Sequence, residues 1–232
     1  MEQTEKIKIQ LESILQVHGH VVDIAQNRGL HPPLIFAGMA VYLYCTLDNF
    51  RPDCKKLSGD IDYIIHPKDM SHWERALQIK FQQENTQGFS GSHAKTIMDE
   101  IEIDLLADTS FVRPVEGELF TCRFFYDELE KVSTRRDGEK FLHVDAAQLL
   151  FFKLLLGRGR EKEKYDFEDA VALILDAKID AAHFYDVIFA QNEFSVRKIE
   201  SLANRLHRCI AIDGRSAEFK ENFLAIARNR CM

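Results

Sequence analysis

The chain has 232 residues, 46% hydrophobic and 29% charged, ordinary values for a globular protein that exclude a disordered or low-complexity chain. Its 37 acidic against 30 basic residues leave a formal charge of −7, which argues against coating duplex DNA by bulk charge but leaves room for a local basic patch. The opening residues mix charges with helically spaced apolar positions and do not read as a signal peptide. The longest apolar stretch, Ala146 to Gly157, carries Lys153 in its middle and falls short of the roughly 20 residues a membrane span needs. Five scattered cysteines without a CxxC pair give neither a disulfide framework nor a zinc site, so a cytoplasmic protein without membrane association is expected.

In chain order, Ile7, Leu11, Ile14, Leu15, Val21 and Val22 give an amphipathic helix from Glu5 to Ala25, ended at Asn27-Arg28-Gly29. After Pro32-Pro33, Leu34-Ile35-Phe36 reads as a buried strand, followed by Gly38 and helical character from Met39 to Leu47. Asp60 to Ile65 is a second strand, and Asp69 to Gln82 a helix capped by Asp69 or Ser71. Thr96 to Leu106 and Leu119 to Tyr126 read as further strands. From Asp145 onward the pattern is helical: Ala146 to Leu156, Glu163 to Leu175, Ala181 to Ala190, Phe194 to Cys209 and Ala217 to Ala227. The pattern thus predicts an α/β half to residue 135 and an all-helical half over 136–232, with Ser133 to Lys140 as a polar joint.

The informative residues are acids inside strands, where acids are otherwise depleted. Asp60 and Asp62 are two apart and project from one strand face, while Ile61 points to the other. Such a pair repels itself unless a cation intervenes, and Mg²⁺ is the natural occupant. Glu100, Glu102 and Asp104 repeat the arrangement, opposite Ile101, Ile103 and Leu105. Adjacent strands presenting these carboxylates could hold two metal ions, the device that clamps attacking and leaving oxygens in phosphoryl transfer. The bland alternative is a solvent-facing acidic sheet face.

These segments, in order, resemble a family. Phe36-Ala37-Gly38-Met39-Ala40, then Lys56-Leu57-Ser58-Gly59-Asp60-Ile61-Asp62, then Ile103-Asp104-Leu105-Leu106 resemble the DNA polymerase β-like nucleotidyltransferase superfamily. Gln148 to Lys153, Arg158, Arg160 and Lys164-Tyr165-Asp166-Phe167-Glu168-Asp169 look like the second-half segment of abortive-infection (AbiEii-type) nucleotidyltransferases. The resemblance implies an α+β fold, with a small mixed sheet flanked by helices (1–135) followed by an all-helical domain (136–232). It implies Mg²⁺-dependent transfer of a nucleoside monophosphate from an NTP to a hydroxyl of RNA or tRNA, a protein or a small molecule. A toxin-like role with an antitoxin partner would fit the same family.

By the same resemblance, Asp60, Asp62 and Asp104 are the catalytic residues and ligands of a two-ion Mg²⁺ site. Gly38, Lys56, Ser58, Lys153 and Asp166 are then expected at the nucleotide, the Gly38 turn offering backbone N–H groups and Lys153 a point charge to the phosphates. Two departures stand out: Met39 occupies a position usually held by a small residue, and Lys56 replaces the commoner arginine. They motivate a catalytically silent nucleotide-binding or regulatory module as the alternative. An interaction protein with an acidic sheet face is the third reading.

Other features read as structure. Asp166 and Asp169 suit a helix N-terminus, or, by the resemblance, one of them approaches the active site; Arg158 and Arg160 read as a solvated loop or an anchor for phosphate or nucleic acid, and Arg135 and Arg136 as surface charges. His18 and His20 do not face each other and are assigned no metal, and Phe151-Phe152 and Phe124-Phe125 are expected in the core. No Walker-type loop or Ser-His-Asp order occurs.

Overall fold

The computed structural model describes residues 3–45, 59–136, 139–160 and 164–230. The fold is mixed α/β, with a mixed sheet flanked by helices and a helical C-terminal region, as the pattern predicts. By proximity of the backbone the chain forms two compact units. One comprises Met1–Leu43, Pro52–Ser110 and Arg123–Asp145; the other comprises Tyr44–Arg51, Phe111–Cys122 and Ala146–Met232. None of the helices among the described residues is long and apolar enough to cross a membrane.

The first unit opens with α1 (Gln3–Asn27), which buries Leu11, Ile14, Val17, His18, Val21 and Ala25, a stripe at helical spacing. Gly29, at φ +64°, ends it: Leu30 N–H donates to Ala25 O and Gly29 N–H to Gln26 O. Next come β1 (Leu34–Phe36), α2 (Ala37–Tyr44), β2 (Asp60–Ile64), α3 (Met70–Leu77), β3 (Gln82–Asn85), β4 (Phe89–Met98) and β5 (Ile101–Val115). β5 from Phe111 on and β6 (Glu118–Phe124) up to Cys122 belong to the second unit, β6 pairing with β5, and β7 (Lys131–Arg136) and β8 (Glu139–Val144) complete the strands. The sheet order is β3-β4-β5-β2-β1-β8-β7. β1 pairs antiparallel with β2 and parallel with β8, and β2 pairs parallel with β5.

Three expectations change. The strand expected over Thr96 to Leu106 is two strands, because Asp99 and Glu100 both adopt the left-handed conformation (φ +47° and +68°) and turn the chain between β4 and β5. The helix expected from Asp69 to Gln82 stops at Leu77, where Gln78 takes up φ +54°, and the next residues pair as the polar edge strand β3. Ser133 to Lys140 lies within the antiparallel β7–β8 hairpin, with Arg136 opposite Glu139.

The second unit is built on α4 (Ala146–Leu156), whose residues from Ala146 to Leu155 are all buried. Around it are α5 (Asp166–Asp176), α6 (Ala181–Phe189), α7 (Val196–Ile212) and α8 (Ala217–Arg230). Asp180 caps α6 through Ala182 N–H and Ser195 caps α7 through Lys198 N–H. Phe120, Phe151, Phe184 and Phe223 are fully buried here, and Phe124 in the first unit, as core residues rather than a stacking platform.

Candidate active site

β2 and β5 run parallel with Asp60 opposite Glu102, Ile61 opposite Ile103 and Asp62 opposite Asp104. Residues opposite each other on neighbouring strands share a face, so Asp60, Asp62, Glu102 and Asp104 lie on one side of the sheet. The other side holds Ile61, Tyr63, Ile103 and Leu105, all fully buried. The hydrophobic residues therefore fix the register, since a one-residue slip would bury the carboxylates and expose the core side chains.

β1 brings the third component. Phe36 lies opposite Asp62, so the chain leaves β1 and enters α2 at the end of β2 that carries Asp60 and Asp62. The residue at positive φ in this turn is Ala37 (+54°), not Gly38. A non-glycine residue in that region is uncommon and costs on the order of 1 kcal/mol, a strained turn of the kind that collects at functional sites. Met39 is buried with Ala40, Val41, Tyr42 and Leu43.

On β4, Lys95 carries the counter-charge. Its Nζ donates to Asp104 Oδ2 at 2.7 Å and to Glu102 Oε1 at 2.6 Å. Asp104 Oδ1 is buried without a hydrogen-bond partner. Burial pushes the Asp104 carboxyl above its ordinary value; Lys95 pulls it down, while Glu102 and Asp60 add to the rise. For Lys95, burial disfavours the ammonium, but Asp104 and Glu102 together hold it above its ordinary value. A buried anionic oxygen without a donor is costly, and a hard divalent cation is a group that would satisfy it. Carboxylate oxygens from two adjacent strands, one of them lacking a partner, are the donor type such an ion takes, although Asp60, Asp62 and Asp104 do not form one of the closely gathered three-ligand groups of the described residues.

The other residues expected at the nucleotide are Lys56, Ser58, Lys153 and Asp166. Lys56 and Ser58 are outside the described residues. Lys153 and Asp166 belong to the second unit, where Lys153 Nζ meets Asp169 at 2.7 Å and Asp166 at 3.5 Å. Asp166 also accepts from the backbone N–H of Arg158 and, through both oxygens, from its guanidinium. Lys153, Asp166 and Asp169 are all at least 94% buried, so in this structure they serve as mutual counter-charges. Glu100, expected on the acidic face, stands in the β4–β5 turn instead, since Asp99 and Glu100 end the strand there.

A second cluster of the first unit gathers His31, His66 and Asp69. His31 donates its backbone N–H to Asp69 Oδ2, and its Nδ1 lies 2.9 Å from the same oxygen; His66 Nδ1 accepts from Lys68 N–H. The two imidazoles stack with centroids 3.9 Å apart and planes at 14°, so their in-plane lone pairs run alongside each other rather than converge on an ion. These bonds tie the segment before β1 to the start of α3, and they explain why the Asp69 side chain makes no cap bond to that helix.

Sequence reasoning missed Lys95 and Ala37. A lysine two residues before the apolar Ile97 carries no signal until β4 is known to lie beside β5, and Ala is not a residue that announces a positive φ.

No family model and no curated protein matches this chain. Among solved structures it is similar to a Thermotoga maritima protein assigned to the nucleotidyltransferases, with 17% identity, TM-score 0.48, and coverage of 65% of this chain and 88% of that one. It is also similar to an antigenic nucleotidyltransferase-like protein of Paracoccidioides brasiliensis (13% identity, TM-score 0.47, 91% and 93% covered). A third is the lincosamide antibiotic adenylyltransferase LnuA with lincomycin bound (14% identity, TM-score 0.42, 71% and 96% covered). All three TM-scores are below 0.5, and the chemistry of the site rests on its own residues.

Proposed function

We propose that the protein is a Mg²⁺-dependent nucleotidyltransferase that moves a nucleoside monophosphate from an NTP to a hydroxyl acceptor. The observation that carries this reading is the pairing of Asp62 with Asp104 on parallel strands, beside Asp60 and the β1–α2 turn, with Asp104 Oδ1 buried and lacking a donor. Asp60, Asp62 and Asp104 would hold the divalent cation, which neutralises the triphosphate and polarises its phosphorus when bound. The turn into α2 presents backbone N–H groups at the helix N-terminus, a site suited to phosphate oxygens. Asp104 would complete the site on the side of the acceptor hydroxyl, helping that hydroxyl lose its proton to water as the cation polarises it. The hydroxyl oxygen then bonds the α-phosphorus as pyrophosphate departs.

The order of the motifs along the chain supports the same reading, and the AbiEii-like second half supports a toxin-like role paired with an antitoxin. The acceptor belongs to one of three classes: tRNA or other RNA, a protein side chain, or a small hydroxylated compound. The test is incubation of the full chain with each NTP labelled at the α-phosphate, Mg²⁺ and each acceptor class. Label should move to one class and should fail to move with Asp62→Ala. A folded wild-type protein that labels nothing with any NTP contradicts the proposal.

A further inference from the structure

Lys95 is the element of this site that the resemblance did not supply. It is the one lysine of β4, and its ammonium lies within 2.7 Å of carboxylate oxygens from Glu102 and Asp104. Its side chain is 58% exposed, and an ion pair that open to water contributes little to stability. Its effect on the field at the carboxylates is larger, because a charge at contact distance acts on everything those oxygens bind.

The two oxygens of Asp104 have different surroundings. Oδ2 is taken by Lys95, whereas Oδ1 is buried with no partner. Glu102 is tied to the same ammonium, and it faces Asp60 across the strands. We infer that Lys95 is a positioning residue that serves as a built-in cation of the site: it holds Asp104 so that Oδ1 alone is offered as a ligand, keeps Glu102 out of the coordination, and leaves room for one divalent ion, shared with Asp60 and Asp62, in place of two. This inference rests on the nucleotidyltransferase reading and deepens it, replacing the two-ion expectation with one ion and one ammonium.

The ammonium and a divalent ion repel each other while competing for the same carboxylates. Removing the ammonium should therefore strengthen divalent binding, on the order of tenfold for a unit charge lost a few ångströms away. Mn²⁺ is the probe, titrated into the full chain without nucleotide and followed by loss of the free-ion paramagnetic resonance signal, for wild type, Lys95→Met, Lys95→Arg and Asp62→Asn.

The expected result is one Mn²⁺ per wild-type chain, tighter binding and a second ion in Lys95→Met, and wild-type behaviour in Lys95→Arg. Loss of a merely structural salt bridge would raise affinity by removing a charge but would admit no second ion, and that outcome overturns the inference. If Asp62→Asn loses the wild-type ion but Lys95→Met binds like wild type or more weakly, the Lys95 inference falls and the nucleotidyltransferase reading stands. If neither wild type nor Lys95→Met binds Mn²⁺, both fall. Circular dichroism of Lys95→Met confirms that each result comes from a folded chain.

Discussion

His18 makes the stability of the first unit fall in mild acid. Its ring is 4% exposed, stacks on Tyr63 and Phe141, and shares a hydrogen bond of 2.9 Å with the Tyr63 hydroxyl. Burial lowers its pKa from 6.5 to about 4. Between those values the unfolded chain binds a proton that the folded chain does not, so stability contributed by the neutral ring is complete above about pH 6.5 and is lost as the pH falls toward 4. Linkage with these two values gives a loss of about 2 kcal/mol at pH 5 and about 3 kcal/mol at pH 4, relative to pH 8. The single tryptophan, Trp73, is fully buried in α3 of this unit and reports its unfolding by fluorescence. Urea melts of wild type and His18→Gln at pH 8, 6 and 5 isolate the effect, because the carboxylates titrate alike in both. The stability gap between the two proteins should narrow by about 2 kcal/mol from pH 8 to pH 5. A gap that stays constant would refute a neutral buried imidazole.

Two substitutions test the packing that frames each unit. Lys153→Met leaves Asp166 with Arg158 alone and Asp169 without its close 2.7 Å partner, and should cost the helical unit about 3–5 kcal/mol, read by far-ultraviolet circular dichroism during denaturation; a loss below about 1 kcal/mol would contradict the buried network. Gly91, at φ +140°, would place a Cβ 2.6 Å from Thr109 Cγ2 and 2.7 Å from Thr109 Cα, so Gly91→Ala should cost about 2 to 3 kcal/mol in Trp73-monitored melts, and a neutral result would contradict the close approach of β4 to the Asp108–Thr109 segment.

What the sequence showed, and what it did not, follows from the range of the interactions. Asp60-Ile61-Asp62 and Glu102-Ile103-Asp104 declare their faces by alternation alone, because strand periodicity is local. That Asp62 lies opposite Asp104 is a register between strands some forty residues apart, fixed by burial of Ile61 and Ile103 on a common face, and no local pattern encodes it. The turn at Asp99–Glu100 was hidden because it uses two acidic residues in left-handed conformations instead of Gly or Pro, so alternation appeared to run straight through it. Gln82–Asn85 forms a strand without β-favouring residues because β4 supplies its backbone partners. Lys153 was legible as a charge within an apolar helix; its partners, thirteen and sixteen residues on, became visible only once α4 and α5 were packed.

The proposed function requires Asp60, Asp62 and Asp104 to act as one site. It is tested most directly by the α-phosphate labelling assay run on Asp60→Ala, Asp62→Ala, Asp104→Ala and Glu100→Gln alongside wild type, each checked for folding by Trp73 fluorescence. Label transfer should fall to background in the three aspartate variants and persist in Glu100→Gln, which stands in the turn and outside the paired β2–β5 register. Transfer that survives loss of Asp62 or Asp104, or that falls equally with Glu100, would contradict it.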